Sequence, residues 1–226
     1  MFYKVANSLD EVFEAWCIVY KQYLAASLIS TNPFSIFTFP EYISSNSAVI
    51  VGKRMGHSVC TISGVLDSEK GLPLDRYYKR ELDHLREDNK NLIEIGLLAD
   101  IRKRSNISTI VELMSGIARF GVYSDHVDFV IGVHPRRASF FNRIFGCRVI
   151  GDIKEYNRLN IAPVVLMFCS YKDLETISLR ANTEIASDPK DFKFHERYKF
   201  DSQNFVSSKL ENFLRKIWNT TAYGKI

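Results

Sequence analysis

The chain of 226 residues is poor in the residues that would give its chemistry away. It has four cysteines, Cys17, Cys60, Cys147 and Cys169, and none stands in a C-x-x-C pair. Each lies in an apolar stretch, so all four are expected to be buried, reduced thiols rather than metal ligands or redox partners. The five histidines include no H-E-x-x-H pair, which argues against a zinc site. There is no G-x-G-x-x-G, no G-x-x-x-x-G-K and no G-x-S-x-G, so a Rossmann site, a Walker site and a serine nucleophile elbow all lack support. The longest apolar run, Ile161–Met167 continuing into Phe168 and Cys169, is too short to span a bilayer. The opening MFYKVANSLDE has no signal-peptide pattern, and the expectation is a soluble, cytoplasmic protein. Charge of one sign is also scarce. Lys and Arg number 30 against 26 Asp and Glu, a net +4 that does not by itself imply nucleic acid.

What is abundant is aromatic surface, with 16 Phe and 11 Tyr. The pattern of elements is also clear. Phe2–Ala6 reads as a strand. Leu9–Leu28 reads as a helix with Phe13, Trp16, Cys17, Tyr20, Tyr23 and Leu24 on one face. The loop after it is unusually aromatic (Phe34, Phe37, Phe39, Tyr42), fitting either a loop packed on the core or a pocket lid. Ala48–Val51 and His57–Leu66 form a hairpin, Asp67–Pro73 a turn, and Asp75–Asn89 a surface helix. Leu92–Ala99, Ile107–Gly121 and Val127–His134 make a βαβ unit with parallel strands. A short helix, Ala138–Phe145, ends at Gly146, and Arg148–Tyr156 pairs with Ala162–Ser170. Residues 1–170 are expected to form one mixed α/β domain with helices on both faces of the sheet. Residues 171–226 form a C-terminal extension, polar over Tyr171–Phe205 and ending in an amphipathic helix from Ser208.

Three places could carry chemistry. Glu94 lies in the apolar strand Leu92–Ala99; by alternation it projects with Gly96 and Leu98, opposite Ile93, Ile95 and Leu97. Desolvation there would lift its pKa toward the range of a general base, though a strand-end carboxylate paired to a cation has the same pattern. Arg102, Lys103, Arg104, Ser105 and Asn106 precede a helix N-terminus, a place for an anion or simply a solvated basic turn. His134 ends a parallel strand, where α/β sheets bind ligands; it could relay a proton or be a structural turn residue. Arg136, Arg137, Arg143 and Arg148 follow it and would suit an acidic partner.

Together these stretches resemble the long-chain N-acyl amino acid synthases of the GNAT acyltransferase superfamily. The resemblance is carried by Val19–Leu24 with its Y-x-x-Y pattern (Tyr20, Tyr23), by the run Asp67-Ser68-Glu69-Lys70-Gly71-Leu72-Pro73-Leu74-Asp75, by Glu81–Arg86, by Glu94–Ala99, and by Val133–Arg136 with Phe140–Gly146. It implies a mostly antiparallel GNAT-like sheet whose parallel fourth and fifth strands splay apart. An acyl thioester threads between them on the phosphopantetheine of an acyl carrier protein, with coenzyme A as the alternative donor. The implied reaction moves a long-chain fatty acyl group to the amino group of an amino acid or similar amine, with no permanently bound cofactor and no metal. Glu94 takes the place of the strand carboxylate that deprotonates the amine, and His134 is a second catalytic candidate. The backbone of Leu97, Leu98 and Ala99 would pair with pantetheine, and Arg102, Arg104, Ser105 and Asn106 stand in for a pyrophosphate loop whose glycine-rich pattern is missing. Tyr20, Tyr23 and Phe141 would contact substrate; Phe141 stands where many GNAT enzymes carry a tyrosine that protonates the leaving thiolate. That last departure leaves open a non-catalytic acyl-thioester or lipid-binding module, and coenzyme A-dependent N-acetyl transfer is the other alternative.

Overall fold

A computed structural model describes residues 1–44, 46–88, 90–102, 106–126 and 128–170. The expected extension over 171–226, with its final helix, lies outside these residues. In chain order the elements are β1 (Phe2–Val5), α1 (Leu9–Ala25), a 3₁₀ turn (Pro40–Ile43), β2 (Ser47–Arg54), β3 (His57–Leu66), α2 (Asp75–Glu87), β4 (Leu92–Asp100), α3 (Ile107–Tyr123), β5 (Asp128–Val133), α4 (Pro135–Phe145), β6 (Arg148–Val149), β7 (Lys154–Tyr156), a second 3₁₀ turn (Asn157–Leu159) and β8 (Ala162–Ser170).

Local chemistry sets these boundaries. Ser8 caps α1 by accepting the Glu11 N–H, while the Glu11 carboxylate reaches back to the Asn7 N–H. Met55 and Gly56, both at positive φ, turn the β2–β3 hairpin in the sense that matches strand twist. Asn106 caps α3, and His134 caps α4 ahead of Pro135 at the first helical position. Gly146, at φ 67°, closes α4.

The strands form one mixed sheet in the order β1-β2-β3-β4-β5-β8-β6, with β7 also paired to β8. Among the described residues β4 and β5 are the parallel pair, joined through α3. Helices α1 and α2 pack on one face, around Val19, Leu82, Leu92, Leu97, Val130 and Leu166. Helices α3 and α4 cover the other, around Ile93, Ile95, Ile117, Phe129, Ile131 and Phe145.

Three expectations need correction. Cys147 and Cys169 form a disulfide across 22 residues, leaving Cys17 and the buried Cys60 as free thiols. They share the α3–α4 face at the start of β6 and the end of β8, a juxtaposition that their separation in sequence hides. The second correction concerns β4. Ser63 partners Gly96 and Thr61 partners Ala99, so β4 carries one more residue than β3 between these points. This bulge, with Leu97 at φ 51°, reverses the alternation. Leu97 therefore packs on the face that Leu92, Glu94's neighbour, occupies, and Leu98 packs on the opposite one. Finally, the strand expected over Arg148–Tyr156 is broken into β6 and β7. Gly151 lies between them so close to the Tyr78 ring that a side chain there would meet it at 2.9 Å.

Candidate active site

The bulge and the register place the site. β4 and β5 are paired from Leu92–Asp128 to Ile95–Ile131 and no further. Beyond that point β4 stays with β3, while Gly132 and Val133 of β5 stay with Leu166 and Val165 of β8. The two parallel strands thus part in the middle of the sheet. A cavity of about 50 Å³ lies at the fork, lined by Glu94, Ile95, Gly96 and Leu97 from one strand and Gly132 from the other. Tyr23, Phe39, Tyr42, Leu74, Tyr156 and Val164 close it.

Glu94 is 3% exposed. Its Oε2 accepts the Leu74 N–H at 2.8 Å and its Oε1 accepts the Tyr42 hydroxyl at 3.3 Å. Burial pushes the carboxyl from its ordinary 4.5 up to about 8, with the Glu41 charge adding to the rise. The Leu74 and Tyr42 hydrogen bonds and the Arg158 charge oppose it without overcoming it. Burial likewise raises the hydroxyls of Tyr23, Tyr42 and Tyr156, the last two pushed further by Glu94.

The run Asp67–Asp75 builds the partner of Glu94. Gly71, at φ 73°, turns the chain, and the Leu72 N–H donates to Asp75. Arg86 of α2 then ties the loop down, meeting Asp67 at 2.6 Å, Asp75 at 2.7 Å and Asp83 at 2.8 Å. The loop so held presents the Leu74 N–H to the carboxylate. On the other side Gly96 makes room for the Tyr42 hydroxyl, which a methyl group at that position would strike.

The other expected site residues divide. Leu97, Leu98 and Ala99 lie where β4 has left β5, and Tyr23 lines the cavity. Tyr20 is buried on the same side, where its hydroxyl accepts the Asn32 N–H and anchors the aromatic loop. Phe141 is buried against Phe140 and Phe145 in the cluster on the opposite face. His134 is exposed, and its Nδ1 accepts the Arg136 N–H. It lies four residues beyond Val130, the register partner of Glu94, which is about 13 Å along an extended strand. Arg102 is bound to Asp100 and Thr109, and Asn106 spends its side-chain oxygen on the α3 cap. Arg104 and Ser105 lie outside the described residues. Sequence reasoning missed Glu41, Tyr156 and Arg158 and the role of the Leu74 N–H; the aromatic loop holding Tyr42 was the signal for part of this group.

A buried carboxyl poised between acid and base, beside a fork that admits a narrow group, is equipped to take a proton from an amine attacking an acyl carbon. The sequence profile of the N-acyl amino acid synthase FeeM matches residues 14–170. The chain belongs to this family. It is an N-acyltransferase of GNAT-like fold. Among solved structures it is similar to FeeM, an N-acyl amino acid synthase from uncultured soil microbes, at 20% identity and a TM-score of 0.67, covering 78% of this chain and 98% of that one. It is also similar to BjaI, a coenzyme A-dependent acyl-homoserine lactone synthase, at 10% identity and a TM-score of 0.60, covering 83% and 91%. Escherichia coli ElaA matches at 10% identity and a TM-score of 0.54, covering 75% and 100%. These likenesses show the fold. No protein of curated function matches the chain. Among the described residues no helix is long and apolar enough to cross a membrane, and no group of three or more His, Cys, Asp or Glu is placed to hold a metal ion.

Proposed function

We propose that the protein moves a fatty acyl group from the phosphopantetheine thioester of an acyl carrier protein to the amino group of an amino acid. The observation that carries this reading is the parting of β4 from β5 beside a buried carboxyl. The pantetheine arm would lie in the fork against the backbone of Leu97, Leu98 and Ala99. Glu94, once ionised, takes a proton from the acceptor's amino group as its nitrogen attacks the thioester carbon. The C–N bond forms, the C–S bond breaks, and backbone N–H groups of the bulge stabilise the oxygen on which charge develops. The thiolate is a good leaving group. Its proton comes from a tyrosine of the cavity wall (Tyr23, Tyr42 or Tyr156) or from water, since Phe141 lies on the opposite face and His134 is exposed at the end of β5.

A carrier protein is favoured over coenzyme A by the phosphate end of the site. The glycine-rich loop is missing, and Arg102 is already matched by Asp100. The size of the cavity bears on the acyl group. An apolar cavity of ~150 Å³ holds one benzene ring, so this one takes the thioester and little more. A long chain seats only if the side chains of Tyr23, Phe39 and Tyr156 part. The test is direct: purified protein is incubated with acyl-carrier protein and, separately, acyl-coenzyme A, each over a series of chain lengths, with pooled amino acids. N-acyl products from the carrier donor are expected by mass spectrometry; unchanged donor with every acceptor sinks the reading.

A further inference from the structure

Glu94 shares its surroundings with a second buried charge. Arg158, in the 3₁₀ turn between β7 and β8, is 3% exposed. Its Nη2 donates to the two Glu41 oxygens at 3.0 and 3.2 Å, its guanidinium lies 4.4 Å over the Phe39 ring, and it also hydrogen-bonds Tyr156. Phe39 and Tyr156 are walls of the cavity that holds Glu94. Glu41 faces the other way as well. With Val65, Ser68, Gly71 and Arg76 it lines a groove of about 640 Å³. Val65 is the register partner of Glu94 on β3. Groove and cavity therefore flank one point of the sheet, with the Glu41–Arg158 pair between them.

The chemistry of that pair suits a zwitterion. A buried guanidinium must stay matched to a negative group, and its planar fork fits a carboxylate. An α-amino acid arriving from the groove can exchange its carboxylate for that of Glu41, so the cation is paired throughout. Glu41, released, and Glu94 then face the ammonium group. A plain amine brings no anion for this exchange.

We infer that Arg158 binds the carboxylate of the acceptor and so directs its amino group to Glu94, making the enzyme selective for free amino acids over amines. This rests on the proposed acylation at Glu94. In the test, full-length protein and acyl-carrier protein are given an equimolar mixture of the common amino acids and the amines formed by decarboxylating them, and both product classes are read by mass. The wild type is expected to favour amino acid products at least 100-fold. Arg158→Lys should cut that ratio at least tenfold, with the loss in KM for the amino acid. The double variant Glu41→Gln/Arg158→Met removes both charges and leaves neither buried alone; it should bring the ratio near one, with its fold checked by thermal melting. Equal products from wild type, or a ratio unmoved in both variants, overturns the inference while leaving acyl transfer standing. Equilibrium binding of the radiolabelled amino acid mixture separates the remaining case: binding that needs Arg158 in a protein that transfers nothing supports this site and overturns the transfer reading alone.

Discussion

Replacing Glu94 with Gln keeps the shape of the site and removes its base. Gln can still accept the Leu74 N–H and can donate to the Tyr42 oxygen, so the two hydrogen bonds at 2.8 and 3.3 Å have counterparts in the variant. A positioned general base contributes roughly 10²–10⁴ in rate, and the plateau kcat/KM should fall by that much. The pH profile carries the sharper signature. Burial raises the wild-type carboxyl to about 8, so kcat/KM should climb tenfold per pH unit through neutrality and level off above that value. An acceptor's own amine adds a limb that moves with the amine chosen; the Glu94 limb stays where it is for every acceptor and vanishes in the variant.

Stability supplies the control. The folded-state pKa lies above the unfolded one, so this group's contribution is fully present below pH 4.5 and is lost as pH rises through about 8. At about 1.4 kcal/mol per pH unit the wild type gives up on the order of 5 kcal/mol across that window. Glu94→Gln avoids this loss and should melt at or above the wild-type temperature at pH 8.5. A variant within threefold of wild-type rate, or one that keeps the limb near 8, refutes the assignment of Glu94 as base.

Other perturbations follow from the same geometry. Gly132→Leu builds into the fork, where a Cβ already meets Leu74 and Val164 at 3.0 Å; the donor KM should rise more than tenfold, with about 1–3 kcal/mol lost to overpacking, read by titration of the donor and by urea melts. Arg86→Ala frees the Asp67–Asp75 loop and slackens the Leu74 N–H bond that holds Glu94 down, so the kinetic limb should move above 8. Gly96→Ala drives the Tyr42 hydroxyl off Glu94 and should move the limb the same way; a limb that stays put in both variants would count against these two hydrogen bonds. Cys169→Ala opens a loop closed across 22 residues, for which chain entropy predicts a loss of about 3 kcal/mol. An unchanged melting temperature in that variant, or with dithiothreitol added to wild type, would argue against the bridge.

Much of this was legible in the chain. The periodicity of Ile107–Gly121 and the flanking apolar runs predict the crossover unit, and the structure has it as β4, α3 and β5. Glu94 stands out in the chain as a carboxylate within an apolar strand, a pattern it shares with an ion-paired strand end; the structure puts it buried at the cavity. What stayed hidden depends on contacts distant in sequence. Cys147 and Cys169 meet only once β6 and β8 pair. Simple alternation misplaces Leu97 and Leu98, because a bulge leaves no mark in hydrophobicity when residues on both sides of it are apolar. Periodicity puts Phe13, Trp16, Cys17, Tyr20, Tyr23 and Leu24 on the buried face of α1; Trp16 and Tyr20 are buried, but Phe13 and Cys17 are only half-buried while Val12, Ala15 and Val19 are buried instead, a modest rotation that the sheet beneath decides. Arg158 and Glu41 stand 117 positions apart and carry no local pattern at all.

The supernumerary residue in β4 makes chain length at that point as constrained as residue identity. Deleting one position between Gly96 and Ala99 would leave Ala99 opposite Thr61 and restore strict alternation, at the cost of the residue at positive φ that makes the bulge. It would also remove the local twist that steers the strand away from its parallel neighbour, and a re-zippered pair would leave no doorway. Single-codon losses in this stretch should therefore be tolerated far less than substitutions there.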